Sequence, residues 1–142
     1  MADQRMLHAL LLLKRKGIRE IENPFYSPEA RKLGDSLIAE RNLHDRLWGR
    51  GMDRFCVECH CLSALTSWQE RIFVSNLLSL AALSGDEVQA LFLAGEPATP
   101  RVVVYGATFL LCDGNHRLWS LSARGVQRAY FRTVYLSAEA NG

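Results

Sequence analysis

RVVVYGATFLLCDGNHRLWSLSARGVQRAYFRTVYL, residues Arg101 to Leu136, is the part of the chain whose reading decides the fold. RVVVYG is β-branched and apolar, ATFLLC is a second such run, and Tyr105-Gly106-Ala107 between them supplies a turn. A strand hairpin is expected there. HRLWSLSARG then reads as a short helix stopped by Gly125, and VQRAYFRTVYL, with apolar positions at Val126, Ala129, Phe131 and Val134, as a closing strand. The order of elements is β-β-α-β.

Working back toward the N-terminus, the middle of the chain predicts helices over 67–83 and 86–93. Ile72, Phe73, Leu77, Leu80 and Ala81, then Val88, Leu91 and Phe92, recur at helical spacing, and Ser84 with Glu87 forms a capping box. Earlier still, Arg5 to Lys16 reads as a helix ended by Gly17. GIREIE is a short strand that leaves into the Asn23-Pro24 turn. Ser27 caps a helix from Pro28 to about Asn42. No internal repeat or low-complexity tract interrupts this, and 142 residues suffice for a single domain with its own core.

The chain is 49% apolar and 23% charged, the profile of a soluble globular protein. Its net charge of +2 is unevenly placed: Arg101 to Thr133 holds five arginines against one acid, a net +4, leaving twelve bases against fourteen acids, −2, elsewhere. An anionic ligand would be drawn to the C-terminal third. No apolar run approaches the ~20 residues of a membrane span, and MLHALLLLKRKG carries its basic residues after its apolar core, unlike a signal peptide. A cytoplasmic location and no membrane partner are the expectations.

Between the second strand and the helix lies DGNHR, Asp113 to Arg117. Backbone amides at a helix N-terminus bind anions before any side chain is counted. Gly114 permits the turn and a close ligand approach. Arg117 offers a bidentate fork, His116 a hydrogen bond or a proton near neutral pH, and Asn115 an amide donor. Asp113 is the odd member, suited to orienting His116 or holding Mg²⁺ through water. The competing account is a capped, solvated turn with structural value only.

The strand hairpin, DGNHR box, Gly-terminated helix and strand resemble the central segment of the ParB/sulfiredoxin-like superfamily. GIREIENPFYSPEARKLGDSLIAERN is similar to the opening strand, Asn-Pro turn and helix of ParB-like domains. About 60 residues of this 142-residue chain are covered. The resemblance implies an α+β fold, a small mixed sheet with packed helices, over one domain spanning residues 1–142. An inserted helical hairpin at about 43–97 has no counterpart in that family.

The resemblance also implies that the box holds nucleotide phosphates: phosphate binding by Gly114, Asn115, His116 and Arg117, and catalysis by Asp113 and His116. The cofactor would be a nucleoside di- or triphosphate with Mg²⁺, and the reaction hydrolysis or phosphate transfer. Sulfiredoxins place a nucleophilic cysteine where this chain has Asn115, so sulfinic-acid reduction is not expected. The alternative function is that of a non-catalytic accessory protein of a phage or mobile element, docking a protein or DNA partner through the insert. Arg101, Arg124, Arg128 and Arg132 are the candidate phosphate contacts for nucleic acid.

CVECHC offers Cys56, Cys59, His60 and Cys61 in a chelating C-x-x-C spacing. No second pair follows, and Cys112 or His44 would have to complete a tetrahedron. Zinc is therefore the less favoured reading beside a turn of reduced, partly buried thiols. Glu20, Glu22 and Glu29, near the opening turn, are further candidates for a base or metal ligand, with nothing to choose among them.

Overall fold

The computed structural model describes residues 4–41, 56–93 and 101–136. Helix α1 spans Gln4–Arg15 and ends where Gly17 takes φ 76°. Strand β1, Glu20–Glu22, leads through the Asn23-Pro24 turn to α2, Pro28–Arg41. The Ser27 hydroxyl accepts the Ala30 amide at 3.2 Å, the side-chain cap expected from the sequence.

The second described segment holds β2 (Cys56–Cys61), a 3-10 turn (Leu62–Ala64), β3 (Leu65–Ser67), β4 (Arg71–Phe73), α3 (Val74–Ala81) and α4 (Gly85–Leu93). The capping box between the two helices is formed: Glu87 donates its amide to Ser84 Oγ, and Ser84 donates its amide to Glu87 Oε1. The third segment holds β5 (Arg101–Tyr105), β6 (Thr108–Asp113), α5 (Asn115–Ala123) and β7 (Arg128–Leu136).

The protein is thus a mixed α+β fold. Its main sheet has the strand order β2-β7-β5-β6-β3, with β2/β7 and β5/β6 antiparallel and β5/β7 and β3/β6 parallel. A second, two-stranded sheet joins β1 to β4. Side chains on successive strand residues face opposite sides, and both sides of the main sheet are covered. Helices α4 and α5 bring Val88, Leu118 and Leu121 onto Val102, Val104, Leu111 and Phe131. On the other side α2 lays Ala30 and Leu37 over Val103, Leu110, Val134 and Leu136. A third cluster ties α1 to α3 and β4 through Met6, Leu10, Ile72 and Leu77.

Two expectations fail here. The helix predicted from Ser67 begins only at Val74, because Leu65 to Ser67 pair in parallel with Phe109 to Leu111 and Arg71 to Phe73 pair with β1. Strands of three residues leave no alternation to read, and sheet pairing overrides helical periodicity. Residues 43–97 are therefore no purely helical insert: within them β2 and β3 form the two outer strands of the five-stranded sheet. The LHDRLWGRGMDRF stretch, His44 included, lies outside the described residues.

The cysteine cluster also departs from the predicted turn. Cys56 to Cys61 form an extended strand paired to β7, so alternation puts Cys56 and Cys59 on opposite faces, where one ion cannot bridge them. Cys56 and Cys59 are exposed, Cys61 half-buried, and all four cysteines are free. Among the described residues no group of three or more metal-ligating side chains assembles. None of the described helices is long and apolar enough to cross a membrane.

Candidate functional site

The DGNHR box sits where β6 leaves the sheet. Asp113 ends the strand, its Oδ1 accepting the Gly114 amide at 2.9 Å, and Gly114 turns the chain with φ 95° and ψ 24°. That left-handed conformation is one a Cβ would strain. α5 starts at the next residue with no side-chain cap, so its first-turn amides face outward from a helix N-terminus.

Asn115 points inward instead. It is 3% exposed, and its Oδ1 accepts from Ser67 Oγ at 2.6 Å and from Asn23 Nδ2 at 3.0 Å, while its Nδ2 donates to Gln69 Oε1 at 3.2 Å. Asn23 is 4% exposed and also donates to the Gln69 carbonyl at 2.9 Å. One amide therefore ties the box to the opening Asn-Pro turn and to the end of β3. What Asn115 has to offer a ligand is chiefly its backbone.

His116 reaches back across the site to β4. Its Nε2 accepts the Phe73 amide at 2.9 Å, which fixes the neutral tautomer with the proton on Nδ1. The two rings stack, with centroids 6.1 Å apart and planes 18° from parallel. Burial depresses the imidazole pKa below its ordinary value. His116 thus enters the site as a neutral hydrogen-bond donor.

These residues form one wall of a cleft of about 500 Å³, with Asp113, Gly114, His116 and Arg117 facing Gln69, Asn76 and Ser79. Asn76 and Ser79 come from α3, and sequence reasoning passed over them. Their i, i+3 spacing opposite the buried Val74, Leu77 and Ala81 was the available signal. A solvated helix face has the same pattern, so only the approach of α3 to α5 singles them out. Apart from Asp113 the polar groups are hydrogen-bond donors or can act as such, a set suited to an anion with several oxygens.

Phe73 and Ser79 also line an adjoining cavity of about 920 Å³, with Lys14, Ile18, Glu20 and Leu78. Glu20, Glu22 and Glu29 are exposed and none lines the box cleft; the opening turn approaches the box through Asn23. Cys112, three residues before Asn115, is 6% exposed among α2-side core residues, and burial raises its thiol pKa far above the usual value. It is a small core residue there.

No protein-family model, curated protein or solved structure matches this chain.

Proposed function

We propose that this domain binds the phosphates of a nucleoside di- or triphosphate at the DGNHR end of the sheet, in the manner of a ParB/sulfiredoxin-like domain. The observation that carries the reading is the cleft itself: an uncapped helix N-terminus, the Arg117 guanidinium and the His116 Nδ1–H on one wall, with Asn76 and Ser79 opposite. Strand hairpin, box, helix and strand in that order support the family resemblance. Phosphate oxygens would take the first-turn amides and the Arg117 fork. Asp113, the one carboxylate among the described residues that line the cleft, would hold Mg²⁺ through water, a cation that commonly takes one or two carboxylates beside substrate phosphates. Hydrolysis or phosphate transfer would then need a proton relay for which His116 and Asp113 are the candidates.

Titration of the full chain with ATP, ADP, CTP and GTP, each with Mg²⁺, tests this. Binding tighter than about 1 mM, near −4 kcal/mol, is expected for at least one of them. Arg117→Lys keeps the charge but loses the fork, and should weaken that binding by about 1–3 kcal/mol. If no nucleotide binds at millimolar concentration, or if Arg117→Lys binds as the parent does, the phosphate reading is wrong. The accessory-protein reading, with docking on the 67–93 segment, has less to stand on. Leu77, Ala81 and Val88 of that segment are each 0% exposed in the cores already described.

A further inference from the structure

The cavity beside the box cleft has a wall that β1 and β4 build together. Glu20 is the Cα partner of Phe73 in their antiparallel ladder, so the two side chains stand on one face. The ladder hydrogen bonds run through their neighbours: the Val74 amide donates to the Arg19 carbonyl at 2.9 Å, while the Phe73 amide goes to His116. Glu20 and Phe73 are therefore a non-hydrogen-bonded pair, the kind whose side chains lie closer. Ile21 and Ile72, the next pair, turn the other way into the core shared with α1 and α3.

The cavity of about 920 Å³ takes both side chains of that pair, with Lys14, Ile18 and Arg19 from the end of α1 and the link that follows it. Phe73 is 45% exposed and Ile18 38%, an apolar surface left open to solvent. His116 stacks on one face of the Phe73 ring, so the phenyl group belongs to the box cleft and to the cavity at once. Among the described residues no salt bridge joins Glu20 to Lys14 or Arg19. One carboxylate and two cations thus stand around an aromatic platform without neutralising one another.

We infer that this cavity is the base subsite of the nucleotide site proposed above, on which the inference rests, and that it selects guanine. The base stacks on Phe73, Glu20 accepts from its N1–H and 2-amino group, and Lys14 or Arg19 donates to O6. A carboxylate presents two acceptors and no donor. Guanine sets two donors side by side on its pairing edge, next to an acceptor. Adenine and cytosine put a ring-nitrogen acceptor beside their amino group, and the carboxylate repels it. One ribose joins a base to its phosphates, and one pair of stacked rings, 6.1 Å between centroids, joins this cavity to the box. An organic cation would suit Glu20 and Phe73 but would meet Lys14 and Arg19. The arginines taken from the sequence as nucleic-acid contacts make no rival surface: Arg101 and Arg132 are 7% and 6% exposed, and Arg124 donates to the Leu80 carbonyl at 2.9 Å.

Calorimetric titration of the full chain with the Mg²⁺ complexes of GTP, ITP, ATP and CTP tests this. GTP should bind at least about tenfold tighter than ATP or CTP, and ITP, which lacks the 2-amino group, about five- to tenfold more weakly than GTP. Glu20→Gln should shrink the GTP-to-ATP ratio to about threefold or less, because an amide cannot accept from both donors. Phe73→Ala should weaken GTP binding about five- to hundredfold and Phe73→Tyr leave it within about twofold, since stacking needs the ring. Both positions are exposed, so the variants should fold, with circular dichroism as the check. Equal affinity for GTP and ATP, a preference that survives Glu20→Gln, or unchanged affinity in Phe73→Ala each overturns the base subsite while phosphate binding at the box stands. Binding of inorganic tripolyphosphate without binding of any nucleotide does the same. If neither tripolyphosphate nor any nucleotide binds at about millimolar concentration, the phosphate reading itself fails and the base subsite falls with it.

Discussion

Replacing Asn115 by alanine separates a residue that holds the site together from one that binds its ligand. The side chain makes three hydrogen bonds: from Ser67 Oγ, from Asn23 Nδ2 and to Gln69 Oε1. Ser67 is 0% exposed and Asn23 4%, so their donors, once the Asn115 acceptor is gone, cannot turn to bulk water, and each stranded donor costs about 1–2 kcal/mol. Gln69 is half-buried and can recover a water partner, so its share is nearer 0.5 kcal/mol. The total is about 3 kcal/mol, or roughly 10 °C in melting temperature for a chain of this size. Thermal melts and urea titrations of parent and Asn115→Ala measure it. A shift under about 3 °C, or about 1 kcal/mol, would refute the reasoning and mean that the network contributes little net stability. Loss of nucleotide binding at unchanged stability would instead assign the Asn115 amide to the ligand.

Gly34→Ala should destabilise by about 1–3 kcal/mol in the same melts, although alanine is the better helix former, because a Cβ there overlaps the Trp68 ring; an unchanged or raised melting temperature would contradict that packing. His116 and His60 both have pKa values lowered by burial, so the folded protein resists protons that the unfolded chain accepts. Stability should be full above about pH 6.5 and fall as pH drops toward the depressed folded values, and His116→Gln should flatten part of that fall in a pH series of urea titrations. Toward a thiol reagent at neutral pH, exposed Cys59 should react ahead of exposed Cys56, whose pKa is raised by its hydrogen bond to the Glu58 carboxylate, and buried Cys112 only on unfolding; mass spectrometry of the modified peptides reads the order.

The sequence determined the elements whose signals are local. Gly17, Gly106 and Gly125 each take positive φ at a predicted stop or turn, and Ser27 and Ser84 cap the helices they precede, because turns and caps are made by residues within four positions of one another. For the same reason the β5-β6-α5-β7 order and the place of DGNHR at a strand-to-helix turn could be read from one stretch of chain. What joins distant segments could not. The three-residue strands β3 and β4 exist through their pairing with β6 and β1, and CVECHC is extended because β7 supplies its hydrogen bonds. Nothing near Asn115 in sequence showed that its oxygen would accept from Asn23 and Ser67, 92 and 48 residues away. Asn76 and Ser79 became cleft residues only when α3 packed against α5, and Arg101 came to lie beside Arg132 only through the register of β5 on β7. A local signal is written in φ, ψ and neighbouring side chains, whereas register and helix approach are fixed by burial summed over the whole domain.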